Sequence, residues 1–582
     1  MQLSAVDAVL ASAGLAVPAL DVLVANEANY TVLLLQPLGH IEANDQGVRN
    51  RDRSLADRQF GRFLRDAQET SADLVITPEY AMPWETLAAA ISKGVAPAEG
   101  KLWALGCESI KYSELESMKE KLSPHATILF ETLPPDSPRF TDPLTYVFRA
   151  PTLTGDSLSQ LVLLVQFKTS PMGDLDHFEV NGLQRGQAVY VFGGTAQPLR
   201  LLSLICSDAF AFKDSDALAV HDRTLVIHVQ LNPKPRQTQY RQYRERLLQF
   251  KGDATELICV NWAKDVSEWC GEVSKPWNNI AASAWYLRPD GFDERDEPLC
   301  ANHRRGLYYT RLESLRSHVL FFNFAAGTYR LIATKVAHLG VPASISHRRG
   351  PQLIKTCTWD ETSTAWVEEP CIEDGFSDVV AESELAKDEL IRLHARSPLE
   401  VERVLALCAG EIDHGENWHK VRHLDSCAIE SSEIIRRITF CQDTDVSASR
   451  FRIRRLKRCG NLWRCLETDA QLQPALADIA AGFSLGWSPE HPHQNVISSA
   501  GKRATVIYMG EDASDREIDA TFRRAADYLR RSSHDPDSVV TNRQRLAVLY
   551  RRNGAIKLWE EYRYVKIDRP GDTSEVDIGR ET

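Results

Sequence analysis

Hydrophobic positions over residues 30–335 predict an alternation of strands and helices. Short runs that are apolar throughout are typical of buried strands, and they occur at 30–38, 72–80, 101–109, 126–131, 199–208 and 224–232. Residues 52–70 instead have apolar side chains at helical spacing, with charged residues opposite. Runs at 144–150 and 161–168 flank a Gly-Asp turn, which predicts a hairpin. Because several strands lack a polar face, helices are expected to cover both sides of the sheet, which predicts an α/β fold.

The pattern changes after about residue 340. Residues 359–389 are acidic and poor in strand formers, which indicates a linker or boundary, and a capping-box pattern opens a helix at Ser397. A strand at 504–510, a helix at 515–531 and a hairpin at 545–567 predict a small α+β unit. We therefore predict an N-terminal helix and linker (1–29), an α/β domain (30–340), a linker and helical region (341–500) and a small α+β unit (501–582).

Composition and charge exclude several classes of protein. The 582 residues are 43% hydrophobic and 25% charged, which excludes a disordered or fibrous chain. Of the total charge of −12, each side of residue 340 contributes −6, from 34 basic and 40 acidic residues, so neither half is a polyanion-binding domain. No apolar run approaches the ~18 residues of a membrane span, and the N-terminus lacks the basic start of a signal peptide. The 12 cysteines include no CxxC pair, which favours a reducing, cytoplasmic location.

Two local clusters suggest binding sites, although each has a simpler explanation. The stretch 450–464 is densely basic and contains two aromatic residues, so it could bind nucleic acid or another anionic partner. A solvated helix face that pairs with the acidic linker is the favoured interpretation. His414, His419, His423 and Cys427 have the spacing of a helical zinc ladder, but an ordinary helix is again favoured. We expect no metal and no organic cofactor.

Three of the predicted strands end in residues with complementary chemistry. Glu79 ends the strand at 72–80, Lys168 ends the strand at 161–168, and Cys206 lies near the end of the strand at 199–208. Strand ends open onto the ligand crevice of an α/β sheet, so these side chains could converge. A carboxylate can deprotonate a thiol, and a fixed ammonium can stabilise the oxyanion that forms when the thiolate attacks a carbonyl. By spacing alone, solvated strand ends and one buried cysteine are the favoured explanation.

The local sequences around these residues resemble the nitrilase, or carbon–nitrogen hydrolase, superfamily. ADLVITPEYAMP is similar to the segment around that family's catalytic Glu, LVLLVQFKTSPMGDLDHFE to the segment around its Lys, and LRLLSLICSDAF to its nucleophile elbow. Supporting similarities occur in the same order at Arg185-Gly186, ICVNWA and SAWYLRPDG. The resemblance covers residues 30–335 and implies a four-layer αββα sandwich, followed by a C-terminal region that is mostly helical or α+β.

The resemblance also implies roles for individual residues. Glu79 would be the general base, Lys168 the oxyanion stabiliser and Cys206 the nucleophile. The supporting candidates are Glu179, which would position the lysine, Ser207, whose backbone N–H would be a second oxyanion donor, and also Asp208 and Asn232. The segments after Lys168 and before ICVNWA depart from the usual family pattern, as does Ser207, which stands where an aromatic residue is frequent. These departures affect the expected substrate more than the mechanism.

The predicted activity is hydrolysis of a non-peptide carbon–nitrogen bond through a cysteine thioester. A small amide is favoured over a nitrile as substrate, and the family resemblance implies a homo-oligomer. The alternative is an effector or scaffold of a multi-protein system, such as bacterial antiphage defence, with a protein partner that binds the C-terminal region. A nucleic-acid-binding protein acting through residues 450–464 is the less favoured third hypothesis.

Overall fold

The structure, a computed structural model, contains helices and strands throughout most of the chain. It describes residues 1–25, 29–153, 159–173, 177–193, 199–233, 235, 238–248, 255–264, 266–277, 283–287, 307–312, 317–322, 325–335, 351–368, 376–381, 386–396, 398–412, 446–468, 472–488, 490–533, 535–560, 563–565 and 576–578. The ladder from His414 to Cys427 lies outside these residues.

The strands are numbered in chain order. They are β1 (Gln2–Ala5), β2 (Asn29–Gln36), β3 (Gly39–Asn44), β4 (Gly47–Asn50), β5 (Leu74–Met82), β6 (Leu102–Cys107), β7 (Ile110–Lys111), β8 (Thr127–Phe130), β9 (Phe140–Thr141), β10 (Pro143–Pro151), β11 (Ser159–Phe167), β12 (Ala188–Phe192), β13 (Arg200–Ile205), β14 (Thr224–Val229), β15 (Glu256–Val260), β16 (Val266–Cys270), β17 (Val273–Pro276), β18 (Ala284–Leu287), β19 (Leu307–Leu312), β20 (Ser317–Phe322), β21 (Gly327–Thr334), β22 (Gln352–Asp360), β23 (Ala365–Glu368), β24 (Phe483–Leu485), β25 (Val496–Ser498), β26 (Arg503–Tyr508), β27 (Leu546–Arg552), β28 (Ala555–Leu558), β29 (Arg563–Val565) and β30 (Val576–Ile578).

The helices are numbered in the same way. They are α1 (Val6–Ser12), α2 (Arg53–Thr70), α3 (Trp84–Ser92), α4 (Tyr112–Leu122), α5 (Phe178–Gly182), α6 (Asp208–Ala211), α7 (Asp214–Val220), α8 (Thr238–Leu248), α9 (Phe376–Ala381), α10 (Lys387–Arg396), α11 (Pro398–Cys408), α12 (Val446–Thr468), α13 (Asp515–Ser532) and α14 (Pro536–Gln544), with a 3₁₀ helix at Pro474–Ala481.

Two large sheets form the first of two compact units, to which the described residues up to 368 belong. One sheet has the strand order β23-β22-β21-β2-β5-β6-β10-β11-β8, and the other β1-β12-β13-β14-β15-β18-β20-β19. Five of the six apolar strands predicted from the sequence lie near their centres, where β2, β5 and β6 run parallel, as do β13, β14 and β15, whereas the run at 126–131 forms the edge strand β8. Smaller sheets join β17-β16-β3-β4 and β7-β9.

The two large sheets pack face to face. Gln166 on β11 donates a hydrogen bond to the carbonyl of Ser203 on β13 at 2.9 Å. The rings of Tyr146 on β10 and Phe192 on β12 lie 4.8 Å apart. On its outer face the nine-stranded sheet buries α2, α3 and α4 in one hydrophobic core, and α6 packs on β13 of the other sheet. This arrangement confirms the predicted αββα sandwich.

The ends of this unit differ from the segments predicted from the sequence. The N-terminal residues are not only a helix and linker, because β1 pairs in parallel with β12 at the edge of the eight-stranded sheet. After residue 340, β22 and β23 extend the nine-stranded sheet beyond β21. The first acidic residues of the predicted linker, Asp360, Glu361 and Glu368, lie on this edge hairpin, where side chains remain hydrated, so their composition is similar to that of a linker, whereas Asp378, Asp388 and Glu389 lie on helices.

The second unit contains the described residues from 376 onward and has its own core. Its five-stranded sheet has the order β24-β25-β26-β27-β28, in which β26 and β27 are parallel and α13 and α14 connect them. Helix α13 begins at a capping box formed by Ser514 and Glu517, and it buries an apolar stripe that includes Ile518 and Phe522. The α+β character predicted for residues 501–582 therefore extends back to β24 at residue 483.

The basic stretch 450–464 lies within α12 of this unit. Arg455 is fully buried against Glu411 and Glu402, and Arg452 is also buried. Arg458 donates hydrogen bonds to the carbonyls of Ala409 and Met509. Several of its basic side chains thus serve packing within the unit, and they are not part of a continuous exposed surface.

Candidate active site

Glu79 is held by an irregularity near the end of β5. The register between β5 and β6 shifts between Thr77 and Met82, and Tyr80 adopts a left-handed backbone with φ of 57°. The neighbouring strand must come close at this point, because a Cβ atom on Gly106 would lie only 2.0 Å from the carbonyl oxygen of Pro78. Glu79 is consequently turned into the interior, where it is 1% exposed.

Lys168 directly follows β11 and is held at its backbone on both sides. Its N–H donates to the carbonyl of Asp142, and its own carbonyl accepts from Gly186, each at 2.9 Å. Its side chain is completely buried. An ammonium removed from water in this way requires carboxylate partners, and three are present.

Three carboxyl groups surround the Lys168 ammonium. Its Nζ lies 2.7 Å from Oε1 of Glu79, 2.8 Å from Oε1 of Glu179 and 3.3 Å from Oδ2 of Asp142. Oxygens of these three acids lie within 4.8 Å of one another, a spacing that could also hold a metal ion. In this structure the lysine supplies the positive charge at their centre.

Glu79 and Glu179 each accept further hydrogen bonds. Glu79 accepts a hydrogen bond from the backbone N–H of Leu231 at 2.5 Å through Oε2. Glu179 accepts from the Tyr80 hydroxyl at 3.0 Å and from the Met172 N–H at 2.7 Å. The sequence-based hypothesis that Glu179 lies beside Lys168 thus agrees with its position in the structure.

Cys206 forms a sharp turn between β13 and α6. Its φ is 37°, a left-handed value that is uncommon for a residue other than glycine and often marks a functional site. Asp208 stabilises the turn, because its carboxylate accepts hydrogen bonds from the backbone N–H groups of Ile205, Thr169 and Ser170. The charges of Glu79 and Lys168 both act on the Cys206 thiol, so the three side chains belong to one buried site.

The remaining supporting candidates lie around this turn. The Ser207 hydroxyl donates to the carbonyl of Ser170 at 2.6 Å, which joins the elbow to the segment after Lys168. Asn232 donates its backbone N–H to Asn261 Oδ1 at 3.1 Å and accepts from Asn261 Nδ2 at 2.8 Å. Asn232 is therefore part of the loop that places the Leu231 N–H against Glu79.

Electrostatics define the protonation state of the site. Burial raises the pKa of the Cys206 thiol well above its ordinary value, and the nearby Glu79 raises it further, so the thiol is neutral. The pKa of Glu79 is also raised, chiefly by burial. The pKa of Lys168 is raised well above its usual range, because the surrounding carboxylates outweigh the effect of burial. The lysine consequently remains charged.

Three buried residues at the site were not singled out from the sequence. They are Asp142, Tyr240, whose hydroxyl lies 3.4 Å from Cys206 Sγ, and His228, whose Nε2 lies 2.9 Å from the Cys206 carbonyl oxygen. Burial lowers the pKa of His228 to about 3, so its ring is neutral. A signal for Asp142 was available, because the predicted hairpin places the residue before β10 opposite the residue after β11. No comparable signal distinguishes Tyr240 within its charged helix.

Comparison with known proteins gives similar structures but no similar sequences. No family model matches the chain, and no curated protein matches it. Similar solved structures include glutamine-dependent NAD+ synthetase from Acinetobacter baumannii, at 13% identity and a TM-score of 0.29 over 54% of this chain and 48% of that one. The chain thus spans about half the length of the synthetase.

Two further similar structures are smaller proteins. The amidase NitN from Nesterenkonia sp. AN1 has 14% identity and a TM-score of 0.27, over 54% of this chain and 94% of the amidase. Saccharomyces cerevisiae Nit3 has 11% identity and a TM-score of 0.25, over 44% of this chain and 83% of Nit3. The Nesterenkonia amidase and Nit3 are both members of the nitrilase superfamily, which the sequence of this chain resembles.

None of the helices in the described parts of the chain combines the length and the apolar character that a membrane crossing requires.

Proposed function

We propose that this protein is a thiol hydrolase that cleaves a non-peptide carbon–nitrogen bond, with a small amide favoured over a nitrile as substrate. The observation that carries the proposal is the strained elbow at Cys206. This elbow presents a buried thiol to a carboxylate and an ammonium that are themselves in contact at 2.7 Å. A nucleophile, a base and an oxyanion stabiliser are the groups that acyl transfer requires.

The first half of the reaction forms a thioester. Because the Cys206 thiol is neutral, its proton must be removed as the sulfur attacks, and Glu79 accepts it. The raised pKa of Glu79 makes this carboxylate a stronger base than an exposed glutamate. The new C–S bond converts the carbonyl oxygen to an oxyanion, which the Lys168 ammonium and the Ser207 backbone N–H would stabilise.

The second half releases both products. The oxyanion collapses, the C–N bond breaks, and Glu79 returns its proton to the leaving ammonia or amine. A water then loses a proton to Glu79 and attacks the thioester carbonyl. When the C–S bond breaks, the sulfur takes this proton back, which leaves the acid product and the original thiol.

Glu179 is proposed to act on Lys168 and not on the substrate. It binds the ammonium at 2.8 Å, while Tyr80 and the Met172 N–H hold its own carboxylate. This arrangement would hold the ammonium in place while it stabilises the oxyanion.

Hydrolysis can be tested with a panel of short aliphatic amides and nitriles, assayed by release of ammonia. Cys206→Ala should abolish turnover, and mass spectrometry of the wild type quenched in acid should show a thioester on Cys206. Cys357→Ala is the matched control, because this cysteine is also buried but lies on β22. Unchanged turnover by Cys206→Ala would disprove the mechanism.

The second unit favours an alternative or additional role as an effector or scaffold. It has its own five-stranded sheet and its own hydrophobic core, which the proposed chemistry does not use. In that case the protein would assemble with itself or with a protein partner through this region. A phage-challenge assay and light scattering with the full chain distinguish the roles, because protection or assembly that survives Cys206→Ala is structural and not catalytic. Salt-sensitive binding of nucleic acid in a gel shift would instead support a role for residues 450–464.

A further inference from the structure

Asp142 is the third carboxyl group at the Lys168 ammonium, and the proposed reaction leaves it without a role. It immediately precedes β10 and is 1% exposed. Its carbonyl accepts the Lys168 backbone N–H, so the hairpin formed by β10 and β11 fixes its position. Its carboxyl oxygen lies 3.3 Å from the ammonium, farther than the oxygens of Glu79 and Glu179.

The hydrogen-bond donors at the three acids differ. Glu79 and Glu179 each accept a backbone N–H as well as the lysine, and Glu179 also accepts the Tyr80 hydroxyl. Among the groups that the structure describes, no donor forms a hydrogen bond to either carboxyl oxygen of Asp142. A buried carboxylate with no donor is costly, whereas a protonated carboxyl needs an acceptor, and an oxygen of Glu79 lies within 4.8 Å of an oxygen of Asp142.

The charge balance leads to the same assignment. Three ionised carboxylates around one ammonium would place a net charge of −2 in a buried site, and removing such charge from water is strongly unfavourable. One carboxyl is therefore expected to keep a proton, and the acid with the fewest donors keeps it at the lowest cost. The charged or titratable groups that face Asp142 are Glu79, Glu179, Lys168, Tyr80 and Cys107.

We propose that Asp142 is a neutral carboxylic acid in the working enzyme and donates its proton as a hydrogen bond to Glu79. It is a positioning residue, because it acts on the base and does not touch the substrate. The inference rests on the proposed function of Glu79. The Asp142 proton is not consumed, since Glu79 alone exchanges protons with the thiol, the leaving group and water.

The direction of the pKa shift at Asp142 agrees with this assignment. Burial and the neighbouring Glu79 raise its pKa well above the ordinary value of an aspartate. The hydrogen bond from Asp142 in turn lowers the pKa of Glu79, which opposes the effect of burial there. A neutral Asp142 would therefore keep Glu79 ionised at a lower pH than burial alone allows.

The test compares two variants of similar size, Asp142→Asn and Asp142→Leu. Asparagine keeps a neutral hydrogen-bond donor, so the acidic limb of the pH–rate profile should stay within about 0.3 pH units of the wild type. Leucine has no donor, so the pKa of Glu79 should rise and the acidic limb should move upward by about one pH unit. An ionised Asp142 predicts the opposite, because both substitutions would remove a negative charge and move the limb downward.

The readout is the rate of Cys206 alkylation by iodoacetamide as a function of pH, followed by intact mass with Cys206→Ala as the background. Glu256→Gln is the matched control, because Glu256 is a buried acid on β15 that takes no part in the proposed reaction. A downward shift for Asp142→Asn, or an unmoved limb for a folded Asp142→Leu, overturns the proposal. If Asp142→Leu does not fold, as judged by thermal melting, Asp142→Asn alone decides.

The alkylation assay distinguishes failure of the Asp142 assignment from failure of the proposed hydrolase function. If no amide or nitrile is hydrolysed but the limbs shift as expected, the assignment of Asp142 stands and the hydrolase function fails. If amides are hydrolysed through Cys206 and the limbs do not shift, the hydrolase function stands and the role of Asp142 is wrong.

Discussion

Substitution of Gly106 by alanine should displace Glu79, the proposed general base, through the backbone of β5. Gly106 lies on β6 beside the irregular end of β5. A Cβ atom there would lie 2.0 Å from the Pro78 carbonyl oxygen, 2.6 Å from the Pro78 carbonyl carbon and 2.9 Å from Cα of Glu79. All three are backbone atoms of a central strand, so no side chain can rotate to make room.

The size of the effect follows from these distances. Ordinary contact begins at 3.4 Å, so the oxygen at 2.0 Å must move by about 1.4 Å, and it belongs to the residue before Glu79. Overpacking of this kind typically costs about 1–3 kcal/mol of folding free energy. A displacement of about 1 Å at a catalytic group can lower the rate by about 10²-fold. We therefore expect Gly106→Ala to lose stability moderately and turnover severely.

The assay is urea unfolding together with the rate of amide hydrolysis or of Cys206 alkylation at neutral pH. Gly61→Ala on α2 is the matched control, since its Cβ would lie 3.6 Å from Thr86 in ordinary contact. Alanine within a helix should raise stability by about 0.5–1 kcal/mol and leave the rates unchanged. Wild-type stability and rates in Gly106→Ala would show that the close approach of the two strands does not position Glu79.

Three further predictions concern protonation and buried charge. Burial lowers the pKa of His228 to about 3, so between pH 6.5 and 5 the imidazole is protonated in the unfolded chain and neutral in the folded one. Acidification from pH 7 to 5 should therefore lower the free energy of unfolding by about 2 kcal/mol. In urea unfolding, His228→Gln should lose this part of the pH dependence. Tyr240→Phe removes a hydroxyl that lowers the pKa of the Cys206 thiol, so alkylation of Cys206 at neutral pH should slow about fivefold. An unchanged alkylation rate would show that this contact does not activate the thiol. Arg455→Met removes the buried guanidinium that lies 2.5 Å from Glu411 and leaves the exposed Arg454, at 4.0 Å, as a weaker ion-pair partner; it should lower stability by about 3 kcal/mol in guanidinium unfolding, whereas adding Glu411→Gln should restore part of the loss.

The sequence predicted the centre of the first unit because its signals there are local. Strands that are apolar throughout must be buried, and their ends must carry the polar side chains that line a crevice. This reasoning made Glu79, Lys168 and Cys206 candidates, and the family resemblance selected them; in the structure Glu79 and Lys168 are in direct contact, and the charges of both act on the Cys206 thiol. Glu179 required the family resemblance, because a carboxylate beyond a strand end has no pattern that distinguishes it from a surface residue.

Other features depend on strand register or on contacts between distant elements, which the pattern of a single strand or helix does not record. The placement of Asp142 follows from the register of β10 against β11, which the length and geometry of the connecting turn determine. Tyr240 reaches Cys206 from α8, a helix whose charged composition is typical of a solvated surface. The edge hairpin of β22 and β23 was predicted as a linker, because hydrated edge strands and linkers have similar compositions.

The burial of Cys206 has a consequence for how the protein withstands oxidation. Peroxides and other electrophiles react with the thiolate, and most cysteine nucleophiles are vulnerable because they are exposed and ionised at rest. Here the thiol is 2% exposed and its pKa is raised well above the ordinary value, so its sulfur is protonated at rest; in the proposed mechanism it loses the proton to Glu79 only during attack. The same geometry that requires a general base would therefore protect the nucleophile from conversion to sulfenic acid between turnovers.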